Sequence, residues 1–264
     1  MERRPWPGEP LMRCNKQQML PFATTDAMVE ESISYLKENE PQDGYFVGFS
    51  GGKDSICALE LCRMAGVKHQ VYYSCTRIDP PEIYWFIKRY YPDVIWLFPK
   101  ESFYQAIQHK SPPLRISRWC CDLLKKDPSK KVPLNKRVVG IRTEESTGRS
   151  SRPRTDYFKK YRQTLFKPIF HWKEYHVWEF IDGMSLSYPT LYDEGFSRIG
   201  CVGCPFQMGK SSAKIKVREI SMGRWPGIWK ELRHSCLRWF ANLDGTQKHK
   251  SFDEYWKAYL NGFE

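Results

Sequence analysis

No stretch of this sequence is long and apolar enough to span a bilayer as a helix. The opening Met1-Glu2-Arg3-Arg4-Pro5-Trp6-Pro7 lacks the apolar centre and small-residue cleavage site of a secretory signal. A cytoplasmic location away from membranes is therefore the expectation. Internal repeats and low-complexity segments are also missing, which excludes solenoids and repeat arrays. Acidic residues are in deficit, with 30 Asp and Glu against 42 Lys and Arg, for a formal charge of +12. Such an excess favours an anionic partner: a nucleotide, a nucleic acid or an acidic protein. Cysteine, in contrast, is plentiful. Nine cysteines in a reducing compartment are expected as buried thiols, metal ligands or reactive groups rather than disulfides.

The 264 residues, 41% of them hydrophobic, suffice for a full core. Residues 1–40 read as a proline-containing arm followed by a helix that opens near Thr24-Thr25-Asp26. Four short apolar runs follow: Tyr45–Phe49, Gln70–Ser74, Val94–Leu97 and Arg137–Ile141. Helical patterns alternate with them, one after Ser55 and one starting at Pro80-Pro81. This alternation predicts an α/β fold with a doubly wound, mainly parallel sheet over residues 41–206. From about Lys173 the pattern turns helical, and residues 207–264 read as a helical C-terminal extension.

The first strand runs into Ser50-Gly51-Gly52-Lys53-Asp54-Ser55, and a helix runs out. In a parallel sheet such a loop lies at the carboxyl edge, where ligands bind. Adjacent glycines let backbone N–H groups approach phosphate, and the helix N-terminus favours the anion. Ser50 and Ser55 add hydroxyls, and Lys53 adds a point charge. Asp54 can cap the helix or help hold Mg²⁺. An ordinary glycine turn would carry Gly51-Gly52 without the rest of the hexapeptide. The spacing is not that of the Walker loop.

Cys120-Cys121 and Cys201-Val202-Gly203-Cys204-Pro205 form two close pairs. Four thiolates suit a tetrahedral zinc ion or a 4Fe–4S cluster, and buried thiols or a redox disulfide remain open. Adjacent cysteines diverge on a helical turn, which favours a bulky cluster over one small ion. Cys57 and Cys62 read as core. Cys75, at a strand end, and Cys14 are candidates for a reactive thiol.

The hexapeptide resembles the PP-loop of the ATP pyrophosphatase superfamily. Thr76–Glu82 with Asp79, the Gly140–Arg149 block with Arg142 and Arg149, and the tryptophan-containing Pro168–Ile181 segment together resemble the PAPS reductase-like branch. The resemblance implies an adenine nucleotide held by Ser50–Ser55, Asp79, Gly140, Arg142 and Arg149, with Lys53, Asp54 and Arg142 catalytic. The Cys-Cys…CxxC arrangement is similar to the cluster motif of iron–sulfur adenylylsulfate reductases, which implies Cys120, Cys121, Cys201 and Cys204 as ligands of a 4Fe–4S cluster. Sulfonucleotide reductases of this branch carry a nucleophilic cysteine in a C-terminal Glu-Cys-Gly motif. Here no cysteine follows Cys236. The expectation is therefore ATP with Mg²⁺, adenylation of an acceptor oxygen with pyrophosphate release, and sulfur incorporation into nucleic acid. The combination resembles the DNA phosphorothioation ATP pyrophosphatases, with tRNA thiolation close to it. A cysteine desulfurase or another sulfur donor fits that chemistry, as does a homodimer. Sulfonucleotide reduction by an atypical nucleophile and a non-catalytic nucleotide- and cluster-binding regulator are the alternatives. Lys125-Lys126, Lys130-Lys131, Lys136-Arg137 and Arg149–Arg154 offer phosphate contacts, with Tyr157 and Tyr161 for stacking.

Overall fold

The computed structural model describes residues 23–243 and 249–263. The N-terminal arm and Cys14 lie outside the described residues. Six strands form one sheet: β1 Tyr45–Gly48, β2 His69–Ser74, β3 Ile95–Leu97, β4 Lys136–Val139, β5 Thr155–Phe158 and β6 Gln163–Phe166. Their order is β3-β2-β1-β4-β6-β5. Neighbours run parallel except β5, which pairs antiparallel with β6. The chain therefore has the expected α/β, mainly parallel sheet with C-terminal helices. The four predicted strands are present; β5 and β6 were not foreseen.

The helices are α1 Ala23–Glu38, α2 Lys53–Ala65, α3 Pro81–Tyr90, α4 Phe103–Lys110, α5 Trp119–Cys121, α6 Asp127–Lys130, α7 Thr147–Ser150, α8 Glu174–Gly183, α9 Ser212–Arg224, α10 Pro226–Ala241 and α11 Phe252–Leu260. A π-helical turn, Asp122–Lys126, joins α5 to α6. Among the described residues no helix is long and apolar enough to cross a membrane.

Alternation along the strands gives the sheet two different faces. Tyr45, Val47, Val71 and Val138 point into a core that includes Leu36 of α1, Ile56 and Leu59 of α2 and Val177 of α8, all buried. Burying each such side chain stabilises the fold by about 1.5–3 kcal/mol. Trp172, from the tryptophan-containing Pro168–Ile181 segment, belongs to this core. Phe46, Gly48, Tyr72, Arg137 and Val139 face the other way and line a cavity. The π-helical turn packs over that side, against β2.

Candidate nucleotide site

The Ser50–Ser55 loop is shaped by its own hydroxyls. Ser55 Oγ accepts from the Ser50 N–H at 3.1 Å and donates to the Gly52 carbonyl at 2.8 Å. The two serine Oγ atoms lie 3.1 Å apart. Gly51 has φ +72°, and a Cβ there would press on Ile83 and Ile87 of α3 at 3.2 and 3.3 Å. Glycine is thus required both for conformation and for the close approach of α3. Gly140, just beyond β4, is required for space alone. A Cβ on it would stand 2.3 Å from the Asp54 carbonyl oxygen.

Asp54 and Arg142, separated by 88 positions, meet at this point. Arg142 Nε donates to Asp54 Oδ1 at 2.6 Å and Nη1 donates to Glu144 Oε2 at 2.6 Å. The guanidinium is almost fully buried. Burial alone would lower its pKa, but Asp54 and Glu144 together hold it above the usual arginine value. Glu144 also accepts the Glu174 N–H at 2.8 Å, which ties α8 to the pair. Arg149 pairs with Glu145, so it reaches the site through that carboxylate.

Lys53 is 2% exposed and does not line the cavity. Its ammonium donates to the Ser197 carbonyl at 3.0 Å and lies 3.4 Å from Glu174 Oε1. Its N–H, the first of α2, donates to the Tyr192 hydroxyl at 3.0 Å. Residues 190–204 thus form a strap over the loop. Glu144 fell inside the Gly140–Arg149 block that the sequence singled out, but sequence reasoning missed Glu174, Tyr192 and Ser197. Their contacts with the loop cross large sequence separations and leave no local pattern.

Beside the loop lies the cavity, of about 370 Å³, within the size range of small-molecule sites. Ser50, Asp79 and Lys125 line it near the strand ends, and Arg137, Gln163 and Tyr161 line it deeper. Asp79 accepts from the Tyr73 hydroxyl at 2.6 Å and makes no side-chain cap on α3. Lys125 was expected to face nucleic acid. It lines this cavity, where Cys201, Asp79 and Cys121 hold its ammonium well above the usual lysine value. Its spacing of four from Cys121 on a helical segment was the available signal.

The cysteine pairs come together around Lys125. Cys120 is hydrogen-bonded to Cys121, and Cys201 and Cys204 lie within electrostatic reach of both the pair and Lys125. The bond to Cys120, with Lys125, Arg118 and Lys126 nearby, holds the Cys121 thiol below its ordinary value; the same bond and burial push Cys120 up. Burial pushes Cys201 up to about 12. Among the described residues no three Cys, His, Asp or Glu side chains converge as a site for one metal ion. Cys57, Cys62 and Cys75 are buried, with thiol pKa values raised by burial.

Arg137 was also read as a nucleic-acid contact. It is 4% exposed, its guanidinium lies 4.1 Å from the Phe46 ring, and burial lowers its pKa to about 10. Nη2 donates to the Ser129 carbonyl at 2.7 Å, while Nε has no partner among the described residues. A buried donor left open on a cavity wall suits a ligand acceptor. Arg137→Met is expected to leave folding stability unchanged or higher, since it removes a buried charge that faces no carboxylate among the described residues. It is expected to weaken nucleotide binding at least tenfold, as one charged hydrogen bond of about 1.5–3 kcal/mol is lost. Urea denaturation and nucleotide titration, run side by side, check both.

Residues 44–207 match the phosphoadenosine phosphosulfate (PAPS) reductase domain. The chain belongs to the PAPS reductase family. Within and beyond that family domain, it is 35% identical over 222 residues to the Methanocaldococcus jannaschii protein MJ0066, covering 79% of this chain and 44% of that protein. It is 25% identical over 201 residues to the adenosine 5'-phosphosulfate reductase of Anoxybacillus flavithermus, covering 71% and 81%. The chain spans about half the length of MJ0066 and of a second Methanocaldococcus jannaschii relative, MJ0973, at 44% and 52%. In fold it resembles the PAPS reductase of Candida auris solved as a phosphate complex, with TM-score 0.51 and 18% identity, covering 70% of this chain and 97% of that one. PAPS reductase family membership makes this chain a member of an enzyme family with a PP-loop type of nucleotide fold.

Proposed function

We propose that the chain is an ATP pyrophosphatase that activates an acceptor oxygen for sulfur incorporation, with nucleic acid as the acceptor. The observation that carries this reading is the cavity at the carboxyl edge of the parallel strands, opening on Ser50 of the glycine loop. ATP with Mg²⁺ would lay its β- and γ-phosphates on the loop. The Tyr192 and Ser197 contacts of Lys53 would give way to phosphate oxygens. An acceptor oxygen attacks the α-phosphorus, the bond to the α–β bridging oxygen breaks, and pyrophosphate leaves. Lys53 and the loop N–H groups stabilise the charge growing on that leaving group. Arg142 fixes Asp54, and Asp54 helps hold the cation. The outer sulfur of a persulfide donor then attacks the activated centre, AMP leaves with the former acceptor oxygen, and a second thiol on the donor cleaves the resulting disulfide, which leaves sulfur on the acceptor and a disulfide on the donor.

Cys120, Cys121, Cys201 and Cys204, near one another beside Lys125, would offer four soft thiolates to a 4Fe–4S cluster. When bound, such a cluster would supply a sulfur-binding centre beside the nucleotide.

Anaerobic incubation with ATP and a nucleic-acid acceptor is expected to release pyrophosphate. Lys53→Ala is expected to slow that release about 10²–10³-fold, the usual loss for one donor to a developing anion. Sulfonucleotide reduction is the second reading, supported by relatives that bear the name adenosine 5'-phosphosulfate reductase. Sulfite release from adenosine phosphosulfate, with no pyrophosphate from ATP, would replace the first reading by the second.

A further inference from the structure

The basic tracts that the sequence offered to nucleic acid are largely neutralised within the fold. Lys126 pairs with Asp122, Lys130 with Asp127, Arg149 with Glu145, Arg152 with Asp156 and Arg154 with Glu31. A different surface keeps its charge. β3 is an edge strand, and α3 lies beside it. Trp85 of α3 is 71% exposed and Phe98, just past β3, is 53% exposed.

Two cations join these rings into one connected row. Lys88 Nζ lies 5.7 Å from the Trp85 ring and 5.8 Å from the Trp96 ring. Trp96 and Phe98 follow with centroids 6.4 Å apart and planes 23° from parallel. Arg77 closes the row with its guanidinium 5.6 Å from Phe98. Arg77 has φ +62°, a conformation that costs a non-glycine residue energy and here aims the guanidinium at that ring. Among the described residues neither Arg77 nor Lys88 forms an ion pair with a carboxylate. Exposed indole and phenyl faces interleaved with unpaired cations match a strand of alternating bases and phosphates. An apolar protein partner would not call for the cations.

The row ends at the candidate site. Arg77 follows Thr76, whose hydroxyl lies 3.8 Å from the Cys201 Sγ, and precedes Asp79 on the cavity wall. We propose that Trp85, Lys88, Trp96, Phe98 and Arg77 form a docking surface for single-stranded nucleic acid that leads the strand to the mouth of the cavity. This rests on the reading of nucleic acid as the acceptor and names the surface that would bind it.

The test is fluorescence anisotropy of the full chain with labelled single-stranded oligothymidylate and oligouridylate, over a range of salt. Trp85→Ala and Phe98→Ala are expected to weaken binding about tenfold each, the effect of losing one stacking platform. Lys88→Ala is expected to weaken it and to lower the salt slope by about one. ATP binding, measured in parallel, is expected to stay unchanged in all three. Unchanged oligonucleotide affinity in the Trp85 and Phe98 variants overturns the proposal. So does a dimer-to-monomer shift in those variants with unchanged oligonucleotide affinity, which assigns the surface to self-association. Loss of oligonucleotide binding in the variants, with no pyrophosphate released by the parent, keeps the docking surface and removes the proposed chemistry.

Discussion

Arg142→Ala is expected to cost about 1.5–3 kcal/mol of folding stability, the loss of charged hydrogen bonds to two carboxylates that keep some contact with water. The guanidinium sits between Asp54 and Glu144 with two bonds of 2.6 Å. Without it, among the described residues, Asp54 keeps Lys53, 3.8 Å away, and Glu144 keeps the Glu174 N–H. Urea denaturation reads the loss directly. Arg142→Lys separates charge from shape, because an ammonium cannot reach both carboxylates through a fork. It is expected to recover part of the stability and little of the pyrophosphate release. A loss below about 1 kcal/mol in Arg142→Ala, the range of exposed pairs, would show that water screens the site.

Gly140→Ala is expected to act on geometry. The added methyl would overlap the carbonyl of Asp54 and approach Ser55 N at 2.9 Å. Both belong to the first turn of α2, so no flexible side-chain end can yield. The turn must move away from β4. Overpacking of this sort costs roughly 1–3 kcal/mol, occasionally more. A displacement of about 1 Å in positioned groups lowers turnover about 100-fold. Nucleotide-dependent turnover is therefore expected to fall further than stability does. Equal turnover in the variant and the parent would mean that the α2–β4 approach does not position the reacting groups.

Legibility in the sequence followed from how local each signal was. β1 to β4 each contain a short apolar stretch, and the loop after β1 carries its chemistry in six consecutive residues. β5 and β6, Thr155–Phe158 and Gln163–Phe166, are mixed in polarity and lie in a basic stretch, so their pairing was hidden. Arg137 shows the same effect within one residue. In a charged tract it reads as surface, but strand alternation turns it onto a covered face beside Phe46. Asp54 and Arg142 were both singled out, yet only the fold shows that they bind one another. Tyr192 and Ser197 had no motif at all, because a hydroxyl and a carbonyl reaching Lys53 depend on how the strap crosses the loop.

That strap has a thermodynamic consequence. Tyr192 and Ser197 engage Lys53 at one end, and Cys201 and Cys204 follow within a few residues at the other. Any group that binds the cysteines and displaces the strap must change the free energy of freeing Lys53. Reciprocity then requires that nucleotide bound at the loop alter the affinity of that group by the same factor. Titrating either ligand in the presence of the other would measure a single coupling constant shared by the two ends.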